Sequence, residues 1–241
     1  MKKSLSVVTP TFNEKENIKI LVPKILNVFD EYKLDGEIII VDDRSTDGTI
    51  DTLKHLAENY PNVIPIFRQP PSSIARSWFD GFNRASKEVI VCIDADLCHD
   101  PAYFPQMLEK IGEFDIVIGS RYVNNRIGMM EDKHLLPIAF SILGQFLTRF
   151  VTGFKEYDVS HSFRMFKKEV FFAVKDQLKH EGNVFLIEFL YHAKKRGFKV
   201  MELPIRYGKR IHGTTKLNVW TEGTRYLKFI FRLFLLRWCK N

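Results

Sequence analysis

Two pairs of carboxylates in this chain follow apolar runs. Asp94 and Asp96 come directly after Val89-Ile90-Val91-Cys92-Ile93, and Asp42 and Asp43 come directly after Glu37-Ile38-Ile39-Ile40-Val41. Alternation along an extended backbone would point Asp94 and Asp96 to the same side of a sheet edge. Two hard oxygen ligands at that spacing suit Mg²⁺ or Mn²⁺. Such an ion can hold a diphosphate and neutralise charge on a departing nucleotide. A cationic group accompanies them. Arg206, Lys209, Arg210, His212 and Lys216 fall within eleven positions, with Gly208 and Gly213 interspersed, as in a loop that closes on an anion. Acidic residues after strands also serve as helix caps, and Asp47-Gly48 reads as a turn of that kind.

Elements that could position these groups recur through the first half. Short apolar runs at 5–9, 37–41, 63–67, 89–93 and 116–119 read as parallel strands covered on both faces. Helical patterns separate them. Asn13 with Glu16 is a capping pair before Ile18, Leu21, Val22, Ile25 and Phe29, with Pro23 in the first turn or at a kink. Another helix follows Asp47-Gly48. Repeated strand-helix-strand units imply a doubly wound α/β sheet, in which ligands bind beyond the carboxyl ends of the strands. Both acidic pairs stand at such ends.

Composition narrows the partners. With 45% hydrophobic and 27% charged residues, the chain of 241 residues has the makings of a folded core. Its net charge of +7 favours anionic partners: phosphorylated small molecules, an anionic membrane surface or nucleic acid. Cys92, Cys98 and Cys239 form no disulfide framework or metal spacing, the usage of a reducing compartment. The amino terminus lacks a signal-peptide core, and no uncharged apolar stretch is long enough to span a bilayer.

In order along the chain come Val8-Thr9-Pro10-Thr11-Phe12-Asn13-Glu14, then 41–49 (Val-Asp-Asp-Arg-Ser-Thr-Asp-Gly-Thr), Asp94-Ala95-Asp96-Leu97 and Gly119-Ser120-Arg121-Tyr122. Asp158-Val159-Ser160-His161-Ser162-Phe163-Arg164, Glu202-Leu203-Pro204-Ile205 and 210–216 (Arg-Ile-His-Gly-Thr-Thr-Lys) follow. Each block is weak alone. Together, covering most of the chain, they resemble the GT-A family 2 glycosyltransferases, within them the dolichyl-phosphate mannosyltransferase-like (polyprenyl-phosphate glycosyltransferase) branch.

The resemblance implies a single α/β domain with a GT-A (Rossmann-like), mostly parallel sheet flanked by helices, and C-terminal amphipathic helices. The expected division is 1–216 for the transferase domain, with 1–122 as nucleotide-sugar half and 123–216 as acceptor half, then 217–241 as an amphipathic helix. It implies that Pro10, Phe12, Glu14, Asp43 and Asp94 line the nucleotide sugar. Asp94, Asp96, Arg121 and Asp158 would be the catalytic group, and Arg121, Arg164, Arg210 and Lys216 would meet acceptor phosphate or donor diphosphate. The metal, Mg²⁺ or Mn²⁺, would rest on Asp94 and Asp96. The family's Asp-Ala-Asp-Leu-Gln-His-Pro reads here Asp-Ala-Asp-Leu-Cys-His-Asp, so Cys98, a soft ligand, stands at the place of a metal-binding Gln. Either Asp96 and water carry the metal, or His99 or Asp100 contributes. The family's Ser-Gly-Phe-Arg appears as His161-Ser162-Phe163-Arg164, and its glycine-rich stretch as the 70–76 run Pro-Pro-Ser-Ser-Ile-Ala-Arg.

The implied activity is inverting transfer of a hexose from a nucleotide sugar (GDP-mannose or a UDP-sugar) to a polyprenyl or dolichyl phosphate. The alternative is a hydroxyl of a glycan or lipid-linked glycan, with Asp158 as the base. The tail at 220–238 carries Arg225, Lys228 and Arg232 among large apolar residues, the pattern of a helix lying in a membrane interface, and 135–150 is a second candidate. A peripheral site at the cytoplasmic face of a membrane follows, with a small membrane protein as a further partner. A nucleotidyltransferase would need a glycine-rich loop after the first strand, which is absent. A non-catalytic nucleic-acid binder would suffer repulsion from the strand-end carboxylates, so no nucleic-acid partner is expected.

Overall fold

The computed structural model describes residues 4–122, 135–179, 182, 184–213 and 219–238, with side chains at 135–142, 219–220 and 236–238 left aside. Its strands are β1 (Ser4–Thr11), β2 (Asp35–Asp42), β3 (Val63–Phe67), β4 (Val89–Cys92), β5 (Ile116–Ser120), β6 (Arg164–Lys167) and β7 (Val200–Pro204). Its helices are α1 (Lys15–Tyr32), α2 (Thr49–Asn59), α3 (Ile74–Arg84), α4 (Phe104–Lys110), α5 (Leu135–Thr152), α6 (Lys168–Val174), α7 (Val184–Lys195) and α8 (Val219–Trp238). The strands form one sheet in the order β3-β2-β1-β4-β6-β5-β7, parallel except for β6, which runs antiparallel to both β4 and β5.

Continuous apolar strands follow from this layering, because each face of the sheet is covered. Val7, Ile38 and Ile40 point toward Ile18, Leu21 and Ile25 of α1 and Phe104 and Met107 of α4. Their neighbours Val8, Ile39 and Val41 point the other way, toward Trp78 and Phe82 of α3, Phe171 of α6 and Phe189 of α7. Phe82 packs edge-on to Phe166 and Phe171 at 5.2 and 5.3 Å. Gly81 lets α3 lie directly on β1, since a Cβ there would stand 2.3 Å from Val8 Cγ1.

The order of strands reverses between β1 and β4. In a doubly wound sheet the ligand crevice opens at such a point, beyond the carboxyl ends. Two details at the strand ends differ from expectation. Strand β4 stops at Cys92, and residues 95 and 96 lie in a turn, so Asp94 and Asp96 do not alternate along an extended strand. Leu97 adopts φ 67°, a left-handed conformation that costs a leucine about 1 kcal/mol. Asn13 does not cap α1: the N-cap is Glu14, while Asn13 holds Thr46 N–H through Oδ1 at 2.7 Å. Asp47 serves both helix starts instead, accepting from Thr49 N–H at 3.0 Å and from Lys15 N–H at 3.2 Å. Pro23 lies inside α1.

Helices α5 and α8 pack on each other, joined by Thr148 Oγ1 and Tyr226 Oη at 2.7 Å. Phe229, Ile230 and Leu233 bury the inner side of α8 against Val151, Val184 and Ile187. The outer side exposes Leu227, Phe231, Phe234 and Leu235, and α5 exposes Leu143, Phe146 and Phe150. Among the described residues no helix is long and apolar enough to cross a membrane. Cys92 and Cys98 are free and buried, and Cys239 lies outside the described residues.

Candidate active site

A cavity of about 570 Å³ opens at the β1–β4 switch point. Pro10, Phe12, Glu14, Asp43 and Asp94, the five residues expected around a nucleotide sugar, all line it. So do Asp96, Arg121 and Arg210. The loop before α3 adds Ser72 and Ser73, and α3 adds Ser77 and Trp78.

The two acidic pairs divide their work. Asp42 is fully buried and accepts from Thr11 Oγ1 at 3.1 Å and from Ser45 N–H and Oγ at 2.9 and 2.5 Å, so it ties β1 to the loop after β2. Asp43 faces the cavity, with its oxygens held by Arg68 at 2.9 Å and by Ser73 N–H at 2.8 Å. Asp96 accepts Cys98 N–H at 3.1 Å on Oδ1 and Arg210 Nη2 at 2.9 Å on Oδ2. Asp94 accepts from Ser162 Oγ at 2.5 Å and leaves 35% of its side chain exposed in the cavity. Burial pushes the Asp94 carboxyl upward, against the lowering pull of Ser162 and Arg210.

The donor set fits a small hard cation. Two carboxylates on one wall, completed by phosphate oxygens and water, is the way Mg²⁺ is commonly held. Among the described residues no group of three His, Cys, Asp or Glu side chains forms a protein-only cage. Cys98, a soft sulfur donor, suits such a cation poorly, and burial and the nearby Asp96 push its thiol up to about 12. Asp100 is occupied as a cap, accepting Ala102 N–H at 3.0 Å.

His99 is likewise engaged. Its Nε2 lies 3.1 Å from His161 Nε2, and both rings are buried. The protons can be assigned from the outer partners. Gly119 O can only accept, so His161 Nδ1 donates to it and His161 Nε2 is the acceptor. His99 Nε2 then donates, and its Nδ1 accepts Asp94 N–H at 3.5 Å. Burial holds His99 down to about 4 and His161 also well below its usual range, so both are neutral. This relay joins the end of β5 to the backbone of Asp94.

Arg121 and Asp158 form a closed pair. Arg121 Nε and Nη2 each meet an Asp158 oxygen at 2.8 Å, and its backbone N–H adds a third bond at 3.0 Å. Burial alone would raise the Asp158 carboxyl, but the Arg121 guanidinium and backbone N–H hold it down to about 2. Gln145 of α5 also contacts it, at 3.3 Å, and Glu202 of β7 accepts its N–H at 2.7 Å. The expectation of Asp158 as a base is therefore corrected: it is fully buried, saturated and absent from the cavity wall, and it positions Arg121. Arg164 is corrected too. It is fully buried in β6, where its guanidinium donates to the carbonyls of Val159, His161 and Leu186, and it does not line the cavity. Lys216 lies outside the described residues.

The basic loop lies over the cavity. Gly208 N–H donates to Cys98 O at 2.9 Å, Arg206 N–H to Tyr103 Oη at 3.0 Å, and Asn17 Nδ2 to His212 O at 3.2 Å. Arg210 thereby reaches Asp96 and, at 3.5 Å, Glu14. Tyr207 of this loop packs against His99 and His161 and sits under the Arg121 guanidinium at 5.3 Å. Sequence reasoning misses Ser162 as a partner of Asp94, Gln145 as a brace, and Tyr207. The first two carry no signal beyond ordinary polar type, whereas Tyr207 lies inside the basic run.

Known proteins resemble the chain throughout. A dolichol-phosphate mannosyltransferase of Pyrococcus furiosus is 34% identical over 239 residues, which is 97% of this chain and 64% of that protein, so the chain spans less than two thirds of that relative. An undecaprenyl-phosphate mannosyltransferase of Micrococcus luteus is 26% identical over 215 residues, 88% of this chain and 86% of the relative. A solved structure of glucosyl-3-phosphoglycerate synthase from Mycobacterium tuberculosis, in complex with Mn²⁺, UDP-glucose and phosphoglyceric acid, superposes with a TM-score of 0.69 at 17% identity. That match covers 98% of this chain and 79% of that one and establishes a common fold. The model described as glycosyl transferase family 2 matches residues 6–173, and the chain belongs to that family.

Proposed function

We propose that the chain transfers a hexose, mannose by analogy with its relatives, from a nucleotide sugar to a polyprenyl phosphate at a membrane surface, with inversion at the anomeric carbon. The observation that carries this reading is one cavity in which strand-end carboxylates and arginines face a space of nucleotide size, at the switch point of the sheet. In the reaction a phosphate oxygen of the acceptor bonds to the anomeric carbon while the bond to the diphosphate breaks, and the nucleoside diphosphate departs.

Asp96 with Asp94 would hold Mg²⁺ or Mn²⁺, which supplies charge neutralisation for the diphosphate. Arg210 stands beside Asp96 and is placed to pair with phosphate oxygens once drawn from it. Arg121, fixed by Asp158, offers a rigid positive face. The acceptor's class is supported by the engagement of Asp158, the carboxylate expected as a base, with Arg121. A sugar hydroxyl must lose a proton, and Asp158 is committed to Arg121. A phosphate is already anionic and needs no such help.

The exposed apolar sides of α5 and α8 support action at a membrane surface, and the cytoplasmic face is the side proposed. A small membrane protein is a further partner that this surface would suit. Transfer assayed over a panel of nucleotide sugars, with Mg²⁺ or Mn²⁺ and short polyprenyl phosphates, tests the reading. Metal-dependent product with one donor supports it, and the absence of turnover with every donor overturns it.

A further inference from the structure

The cavity does not end at the nucleotide side. Its wall continues past Ser160 to Gly182, Leu186 and Arg225, the last on α8, outside the matched family region. Three arginines therefore line one space. Arg121 is closed on Asp158 by two side-chain bonds and is 14% exposed. Arg210 is divided between Asp96 and Glu14. Arg225 differs: its ion-pair partner among the described residues is Glu222 of the same helix, at 2.6 Å, and 43% of its side chain is exposed. An exposed pair one helical turn apart is weak and easily exchanged for a better anion.

The surroundings specify that anion. Arg225 begins a stripe with Lys228 and Arg232, at helical spacing, that runs along α8 beside the exposed Leu227, Phe231 and Phe234. A ligand reaching the cavity along this helix has a negative head next to Arg225 and an apolar tail over the exposed side chains. We infer that Arg225 binds the phosphate head of the prenyl-phosphate acceptor at the α8 mouth of the cavity. Glu222 is the carboxylate it leaves. Glu222 lies against Gly182, where a Cβ would stand 2.5 Å from Oε2. The inference rests on the proposed acceptor class and adds to it a residue from a helix that the family match leaves out.

The test is steady-state transfer by the full chain to a water-soluble, short-chain prenyl phosphate without membranes, repeated with a long-chain acceptor in neutral and in anionic vesicles. Arg225→Ala is expected to raise KM for the soluble acceptor tenfold or more, with KM for the donor within twofold of wild type. Arg225→Lys recovers part of the loss, and Glu222→Gln leaves the acceptor KM equal or lower. An unchanged soluble-acceptor KM in Arg225→Ala overturns the inference. A defect seen only in anionic vesicles also overturns it, because it makes Arg225 a headgroup anchor. Equal rises for donor and acceptor assign the residue to general integrity and overturn it likewise. Wild-type protein that uses no prenyl phosphate removes the proposed function itself, whereas wild-type turnover with an insensitive Arg225→Ala removes this inference alone.

Discussion

His99 and His161 meet through their Nε2 atoms at 3.1 Å, and only one arrangement of protons satisfies both ends of the pair. Gly119 O fixes the proton of His161, and Asp94 N–H fixes the lone pair of His99. The two strand ends that carry Asp94 and Arg121 are thus registered by a neutral chain of hydrogen bonds inside the core. The surrounding rings, Phe163 stacked on His99 at 4.9 Å and Tyr207 across both, keep water from substituting for either partner.

The substitution His161→Phe preserves most of the volume but leaves the His99 Nε2–H buried without an acceptor. An unsatisfied buried donor costs about 1–3 kcal/mol, so this variant is expected to unfold at lower urea by that amount. His161→Gln, which restores an acceptor, recovers part of it. Equal stability of wild type and His161→Phe would show that the pair does not carry a hydrogen bond.

Asp158→Asn keeps shape and removes charge from beside a mostly buried Arg121. Breaking a buried ion pair from one side costs about 3–5 kcal/mol, and a loss of this size in urea unfolding at pH 7 is expected. The pH dependence has a definite sign. The folded carboxyl is held down from 3.8 to about 2, so its contribution is complete above pH 4 and lost as pH falls toward 2. That difference is worth about 2 kcal/mol. Wild type is expected to lose stability over this range more steeply than Asp158→Asn, and parallel curves would refute the assignment.

Asp96 and Cys98 give opposite expectations although two positions apart. Asp96→Asn can still accept Cys98 N–H, so the fold should survive, while turnover falls by about 10² or more with the loss of electrostatic stabilisation. Cys98→Ala removes a neutral thiol and should leave metal-dependent turnover within a few-fold of wild type. Full activity in the first variant, or a hundredfold loss in the second with circular dichroism unchanged, would reverse the roles given to these side chains.

The contrast also explains what sequence can and cannot disclose. Strands β1 to β5 are legible because burial on both faces demands unbroken apolar runs. Strand β6 is not, since its four residues begin with Arg164 and end with Lys167, and Arg164 is tolerated in the core only because three carbonyls receive it. The same residue is open to misassignment to an anion for that reason: its type is visible in sequence, its saturation is not. Asp94 and Asp96 stand out by type and position, but the turn at residues 95 and 96 that takes them off the strand has no signature in Ala95. Gln145, Ser162 and Arg225 reach the site from distant parts of the chain, and only the packing of α5, β6 and α8 brings them there.

The outer side of α8 offers the last prediction. Leu227, Phe231, Phe234 and Leu235 recur at helical spacing and remain exposed after Phe229, Ile230 and Leu233 have packed inward. Burying one such side chain is worth about 1.5–3 kcal/mol, so a bilayer that receives two of them gains at least a hundredfold in binding. Leu227→Glu with Phe231→Glu should therefore abolish co-sedimentation with anionic vesicles. Neither residue touches the inner packing, so the urea midpoint should stay near that of wild type. If the double variant still binds vesicles, the basic stripe alone carries the attachment, and high salt should then release the wild type as well. Salt-resistant binding of wild type together with loss of binding in the double variant identifies the apolar side as the part that enters the membrane, because screening weakens the charges and leaves hydrophobic burial intact.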